Sequence, residues 1–114
     1  MSVEPAVDLT QKKCKSCEGG TGPMTRKEIT DSMKQLHGWE AKDGGIEKAF
    51  AFKNYYETAA FVNAVVWMAH QEDHHPDIRF GYKNCSVFYK THSIKGLSEN
   101  DFICAAKVDA LLKF

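Results

Sequence analysis

Apolar residues recur along this chain with two periods, and the switches between them mark out seven elements. Ile29, Met33 and Leu36 lie three and four apart, the spacing of one helix face. Thr25-Arg26-Lys27-Glu28 fits a capping box, in which a hydroxyl at the N-cap and a carboxylate three residues on satisfy each other's backbone donors. Gly38 follows as a stop. Trp39 to Ala41 and Ile46 to Phe52 read as strands joined through Asp43-Gly44-Gly45, because glycine takes the positive φ of a tight hairpin without penalty. In the second strand Ile46, Phe50 and Phe52 share one face, and Glu47, Ala49 and Ala51 the other. Asn54 then caps a helix running to about Glu72, with Glu57 at its third position. Phe61, Val65 and Met68 form one apolar stripe on that helix, and Val62, Val66 and Ala69 a second beside it. Such a width exceeds what one sheet face needs, so part of it is available to a second subunit.

Pro76 ends this element. Ile78, Phe80 and Tyr82 alternate with Arg79, Gly81 and Lys83, the mark of a half-buried strand with Tyr82 packed in the sheet. Lys83-Asn84 makes a turn, and Cys85, Val87, Tyr89 and Thr91 alternate along a fourth strand. Ser98-Glu99-Asn100-Asp101 is a further capping signature, opening a last helix with Phe102, Ala105, Ala106 and Leu112 inward. Strands joined by short turns are antiparallel. The expected fold is α+β, a four-stranded antiparallel sheet with three helices on one face in the order α-β-β-α-β-β-α. Its other face is wet or paired with another copy. Residues 1–23 are polar, rich in Lys and Gly and without period; they are expected to be a poorly structured extension ahead of one domain over 24–114.

Composition narrows the function classes. At 114 residues with 43% hydrophobic and 26% charged side chains, the chain is a single ordinary globular domain. Fifteen basic and fifteen acidic residues cancel. That speaks against nucleic acid, which calls for a basic patch, and sets no net repulsion between copies. No apolar run approaches the ~20 residues that cross a bilayer, and Met1 to Lys13 has no signal-peptide hydrophobic centre, so no membrane is expected. Of the four cysteines, Cys14 and Cys17 sit in the tail, while Cys85 and Cys104 fall inside apolar patterns. This is no disulfide framework, and a reducing, cytoplasmic setting is expected.

Three of the five histidines, His74, His75 and His92, fall around the third and fourth strands. Imidazole exchanges protons near neutral pH. A strand ending at His92 should hairpin back along Ile78 to Tyr82 and bring its tip to the corner at 74–76. The plain alternative for His74-His75 is a helix C-terminus, where the dipole favours histidine. His70 and His74 lie four apart, a spacing that also suits metal. Yet the run lacks the H-E-x-x-H order, and Cys14-x-x-Cys17 is a single pair, so neither metal nor cofactor is expected. Trp39 is a core aromatic or a platform for a flat heterocycle. Asp73 could orient an imidazole or accept a ring N–H, and a solvated acid serves as well. Asp101 is read as the capping acid of the last helix.

These residues resemble the pterin-4a-carbinolamine dehydratases. The family motif is matched by His70, the three residues after it, His74-His75-Pro76, Tyr82 and His92. Gly96-Leu97-Ser98-Glu99-Asn100-Asp101 and Gly38-Trp39 match further family runs, and the similarity spans about Met24 to Phe114. Position 70 carries histidine where many relatives carry an acid. The tail with Cys14 and Cys17 looks like that of the plant and bacterial branch. The resemblance implies the fold deduced above, a homodimer or homotetramer, and no cofactor. The implied activity is dehydration of 4a-hydroxytetrahydrobiopterin to the quinonoid dihydropterin, which recycles the cofactor of aromatic amino acid hydroxylases. It implies catalysis by His74, His75 and His92, with acid and base roles open, and substrate contacts from Asp73, Pro76, Trp39 and His70. The competing role is a dimerisation cofactor or transcriptional coactivator that meets its partner through the helix bearing Phe61 and Val65.

Overall fold

Each helix begins where the sequence supplies a cap. The computed structural model describes residues 8–14, 24–94 and 96–112. Helix α1 (Arg26–Met33) opens on Thr25, whose hydroxyl accepts the Glu28 N–H at 3.2 Å while the Glu28 carboxylate accepts the Thr25 N–H at 2.8 Å. Those bonds, the backbone one foremost, hold the Glu28 carboxyl below its usual range. Helix α2 (Tyr55–Glu72) opens on Asn54, which accepts the Glu57 N–H at 2.9 Å. At the start of α3 (Glu99–Ala110) the Asp101 carboxylate accepts the Ser98 N–H at 3.0 Å.

The hairpin of β1 (Glu40–Lys42) and β2 (Gly45–Ala51) turns on Asp43 and Gly44, with φ of 48° and 79°. Positive φ at both central residues matches the right-handed twist of the flanking strands. Gly45 has no room for a side chain: a Cβ there would collide with the Phe88 ring and the Tyr89 carbonyl. β3 (Asp77–Phe80) and β4 (Asn84–Tyr89) complete an antiparallel sheet in the order β1-β2-β4-β3. The register sets Ile46 opposite Tyr89, Phe50 opposite Cys85 and Ile78 opposite Val87.

The inner face of β2 and β4 (Ile46, Phe50, Cys85, Val87, Tyr89) meets Phe61, Val65 and Met68 of α2 and Phe102, Ile103 and Ala105 of α3. Each large apolar side chain so buried contributes roughly 1.5–3 kcal/mol. Ile29 and Met33 of α1 pack against the same core. The α+β class and the four-stranded antiparallel sheet agree with the expectation from sequence. No helix among the described residues is long and apolar enough to cross a membrane.

Four local expectations are corrected. β3 stops at Phe80, and the Gly81 N–H turns to the Asn84 carbonyl at 2.9 Å. Tyr82 therefore leaves the sheet, 63% exposed, and stacks on Tyr55. β4 stops at Tyr89, so His92 lies not on a strand but in a 3-10 turn, His92–Ile94. Leu112 lies beyond the end of α3 and is exposed. Phe61 and Val65 face the core, so the side α2 turns outward carries Val66 and Trp67 instead.

The described part of the expected extension is docked. Asp8 caps a 3-10 turn, Leu9–Gln11, and Leu9 is 3% exposed within the core. A single apolar anchor in a polar run has no period, which is why the pattern gave no sign of it. Cys17 lies outside the described residues.

Candidate functional site

The corner after α2 is built by Asp73. It adopts the left-handed conformation (φ 52°, ψ 39°), tolerated by aspartate better than by most residues, and its N–H returns to the carbonyls of Ala69 and His70. The His74 N–H also reaches the Ala69 carbonyl, at 3.2 Å. The helix is thus closed before residue 74, and the four-residue spacing of His70 and His74 no longer sets them on one face. His70 stays on the exposed side of α2 against the Trp67 ring. His74 turns inward.

There its Nε2 lies 2.7 Å from Asp101 Oδ1, with side-chain exposures of 12% and 0%. The other oxygen, Oδ2, accepts the Thr91 hydroxyl at 2.7 Å and the Ser98 N–H at 3.0 Å. The Ser98 hydroxyl lies 2.6 Å from Thr91 Oγ1 and completes the network. Three donors thus surround this carboxylate, and a carboxylate only accepts. Against a carboxylate the Nε2 of His74 is the donor, and in the neutral imidazole Nδ1 is then the acceptor nitrogen. One carboxylate thereby caps α3, fixes Thr91 and orients an imidazole.

The His74 ring stacks on Tyr89, centroids 5.7 Å apart and planes 10° apart. Tyr89 is wholly buried and its hydroxyl has no hydrogen-bond partner among the described residues. Burial, with the Cys104 thiol beside it, pushes the phenol well above its ordinary range. Behind Tyr89 lies Trp39, 5% exposed, with its ring against Phe50 and Tyr89 at 6.2 and 6.3 Å. Its Nε1 donates to Asp109 Oδ2 at 3.0 Å, and Lys48 holds Oδ1 at 2.8 Å. Trp39 thus offers almost no ring surface to a ligand and braces Tyr89.

His92 follows Thr91 directly and is exposed. It lines a groove of about 270 Å³ with Asp77, Arg79, Phe88 and Lys90, a wall to which neither His74 nor His75 contributes. His75 is exposed, Pro76 half-buried and Asp73 exposed. Because β3 and β4 are antiparallel, the corner at 74–76 and the turn at 91–94 stand at the same end of the pair, with Asp77 opposite Phe88. The structure therefore gathers His74 and Thr91 on one carboxylate, with His75 and His92 as their chain neighbours. His70 and Trp39 stand apart from this corner. Asp101 was expected only as the capping acid and Thr91 only as a strand residue; that they meet at His74 escaped the sequence reading. The Ser-x-x-Asp spacing is fully explained by capping, which left no demand for a second role.

The chain matches the family model described as pterin 4 alpha carbinolamine dehydratase over residues 22–111. It is 60% identical over 106 residues to a Nitrosomonas eutropha protein provisionally named pterin-4-alpha-carbinolamine dehydratase, covering 92% of this chain and 94% of that one. A Legionella pneumophila protein of the same provisional name is 49% identical over 108 residues, covering 92% and 96%. Among solved structures, a transcriptional coactivator/pterin dehydratase from Brucella melitensis superposes with a TM-score of 0.75 at 29% identity, over 79% of this chain and 98% of that one. A pterin dehydratase-like protein identified as a RuBisCO assembly factor in the alpha-carboxysome gives 0.58 at 30% identity, over 68% and 92%.

Proposed function

The chain belongs to the pterin 4 alpha carbinolamine dehydratase family, and we propose that it dehydrates 4a-hydroxytetrahydrobiopterin or a closely similar pterin-4a-carbinolamine. A base takes the proton from the ring nitrogen beside the carbinol carbon, and an acid protonates the departing hydroxyl. The carbon–oxygen bond breaks, a carbon–nitrogen double bond forms, and the products are the quinonoid dihydropterin and water. One proton is taken and one given, so the step balances with neither an electron carrier nor a metal. A positioned acid or base contributes typically 10²- to 10⁴-fold.

The observation that carries this reading is the 2.7 Å contact between His74 and the buried Asp101. An imidazole held in one tautomer by a carboxylate is prepared to accept a proton and to bear the resulting charge. His75 and His92, both exposed at the same sheet end, supply the imidazoles that meet the pterin. Asp73, exposed at the corner, accepts a ring N–H in this reading, and Pro76 fixes the corner. Trp39 acts from behind, through Tyr89. His70 is the least engaged of the expected contacts. A homodimer or homotetramer in the cytoplasm, using the open sheet face or the Val66–Trp67 side of α2, completes the reading.

The test is the rate of dehydration of chemically prepared 4a-hydroxytetrahydropterin above its spontaneous loss of water. His74→Ala and His92→Ala are each expected to lower that rate at least tenfold with unchanged circular dichroism. Full turnover in both variants would sink the proposal. The exposed Val66 and Trp67, at 53% and 63%, favour a second reading as a dimerisation cofactor or transcriptional coactivator, in line with the Brucella melitensis transcriptional coactivator/pterin dehydratase that the chain resembles. No acceleration by the parent chain would leave that one standing.

A further inference from the structure

The segment ahead of α1 and the last helix bring two sulfurs together. Cys14 Sγ lies 3.3 Å from Cys104 Sγ, across a separation of 90 residues. The approach is held from several sides. The Cys14 N–H donates to Glu72 Oε1 at 3.0 Å, and Glu72 is itself paired with Lys107 of α3 at 2.9 Å. Lys12 reaches Glu99 at the start of α3 at 3.0 Å, and Leu9 anchors the segment in the core. The Cys14 thiol also donates to the Asn100 carbonyl at 3.7 Å. The contact with Cys14, together with burial, pushes the Cys104 thiol up.

The two sulfurs differ in access. Cys104 is wholly buried, whereas Cys14 is half-buried and opens on a cleft lined by Lys12, Lys13 and Glu99. Partial exposure lets a small oxidant reach the Cys14 sulfur, an access that the buried Cys104 lacks. We propose that Cys14 and Cys104 form a reversible redox modification site, closed to a disulfide by hydrogen peroxide and reopened by small thiols.

The Cys14 thiolate attacks one peroxide oxygen, the O–O bond breaks, and the departing hydroxide takes up the Cys14 proton as water, leaving a sulfenic acid. The Cys104 sulfur then attacks the Cys14 sulfur, and the displaced hydroxide leaves as a second water with the Cys104 proton. Two thiols lose two electrons, and one peroxide is reduced to two waters. The sulfurs must close from 3.3 Å to the bond length of about 2.05 Å, a movement within reach of side-chain rotation. The closed bond would tie residue 14 to α3, beneath Tyr89 and the His74 ring that stacks on it.

The experiment uses the full chain, reduced with dithiothreitol, treated with stoichiometric hydrogen peroxide, alkylated and mapped by mass spectrometry without reduction. A Cys14–Cys104 linked peptide lighter by two hydrogen atoms is expected, reversed by dithiothreitol and absent in Cys14→Ser. Cys17→Ser should retain it. The oxidised parent should melt at least about 5 °C above the reduced one, because the bond constrains a very long loop of the unfolded chain. A Cys14–Cys17 or intermolecular link, overoxidation of Cys14 beside a reduced Cys104, or an inert Cys14 would each overturn the assignment.

Discussion

Replacing Asp101 by asparagine removes one charge and almost no volume, and its effect follows from which oxygen serves which donor. Oδ2 receives the Thr91 hydroxyl and the Ser98 N–H, while Oδ1 faces His74 alone. An asparagine keeps the first two bonds only by setting its oxygen at the Oδ2 position. Its NH₂ group then faces Nε2 of His74, which has to become the acceptor. The imidazole proton moves to Nδ1, and the acceptor nitrogen of the site is lost. The opposite rotamer aims the NH₂ at two donors and forfeits the cap. A hydrogen bond to a charged group is worth about 1.5–3 kcal/mol. At 1.36 kcal/mol per tenfold, that is a fall of roughly 10- to 150-fold in turnover. Asp101→Ala, which strands three donors in a buried site, should instead cost stability outright. The assay pairs steady-state turnover with ¹⁵N-detected imidazole tautomers and a thermal melt. Asp101→Asn that turns over within threefold of the parent, with His74 still protonated at Nε2, would refute the reasoning.

Two further outcomes test the packing around this site. Burial opposes ionisation of Glu72, but the Cys14 N–H and Lys107 outweigh it and hold the carboxyl below its ordinary value of 4.5. A lowered folded value stabilises above the unfolded one and is lost as pH falls through it. Glu72→Gln should therefore cost about 2 kcal/mol at pH 7, and the gap to the parent should shrink below about pH 4.5; a gap in urea unfolding that is constant from pH 7 to pH 3 would contradict this. Leu9→Ala should cost about 2–3 kcal/mol by the same urea measurement, because the side chain is 3% exposed within the core. A change under about 0.5 kcal/mol would mean that the segment at 8–14 contributes nothing to the fold in solution.

What the sequence determined by itself is whatever acts within a few residues. The Thr25–Glu28 box and the Asn54–Glu57 cap are local interactions of a side chain with nearby backbone and form as read, while the hairpin turn forms where expected but centres on Asp43-Gly44, with Gly45 already on β2. The two apolar periods likewise fixed the order of helices and strands, since each records which face of one element is buried. Tertiary structure decided the rest. That β2 pairs with β4, not merely each strand with its hairpin neighbour, needs the whole sheet assembled. Tyr82 obeys the alternation of a strand, yet leaves it because the Gly81 N–H turns to the Asn84 carbonyl. Asp101 reads as a cap and is one, but its second oxygen meets a histidine 27 residues away. Cys14 meets Cys104 across 90 residues. Periodicity and capping carry no information about such meetings, because they arise only when separately formed elements are packed into one core.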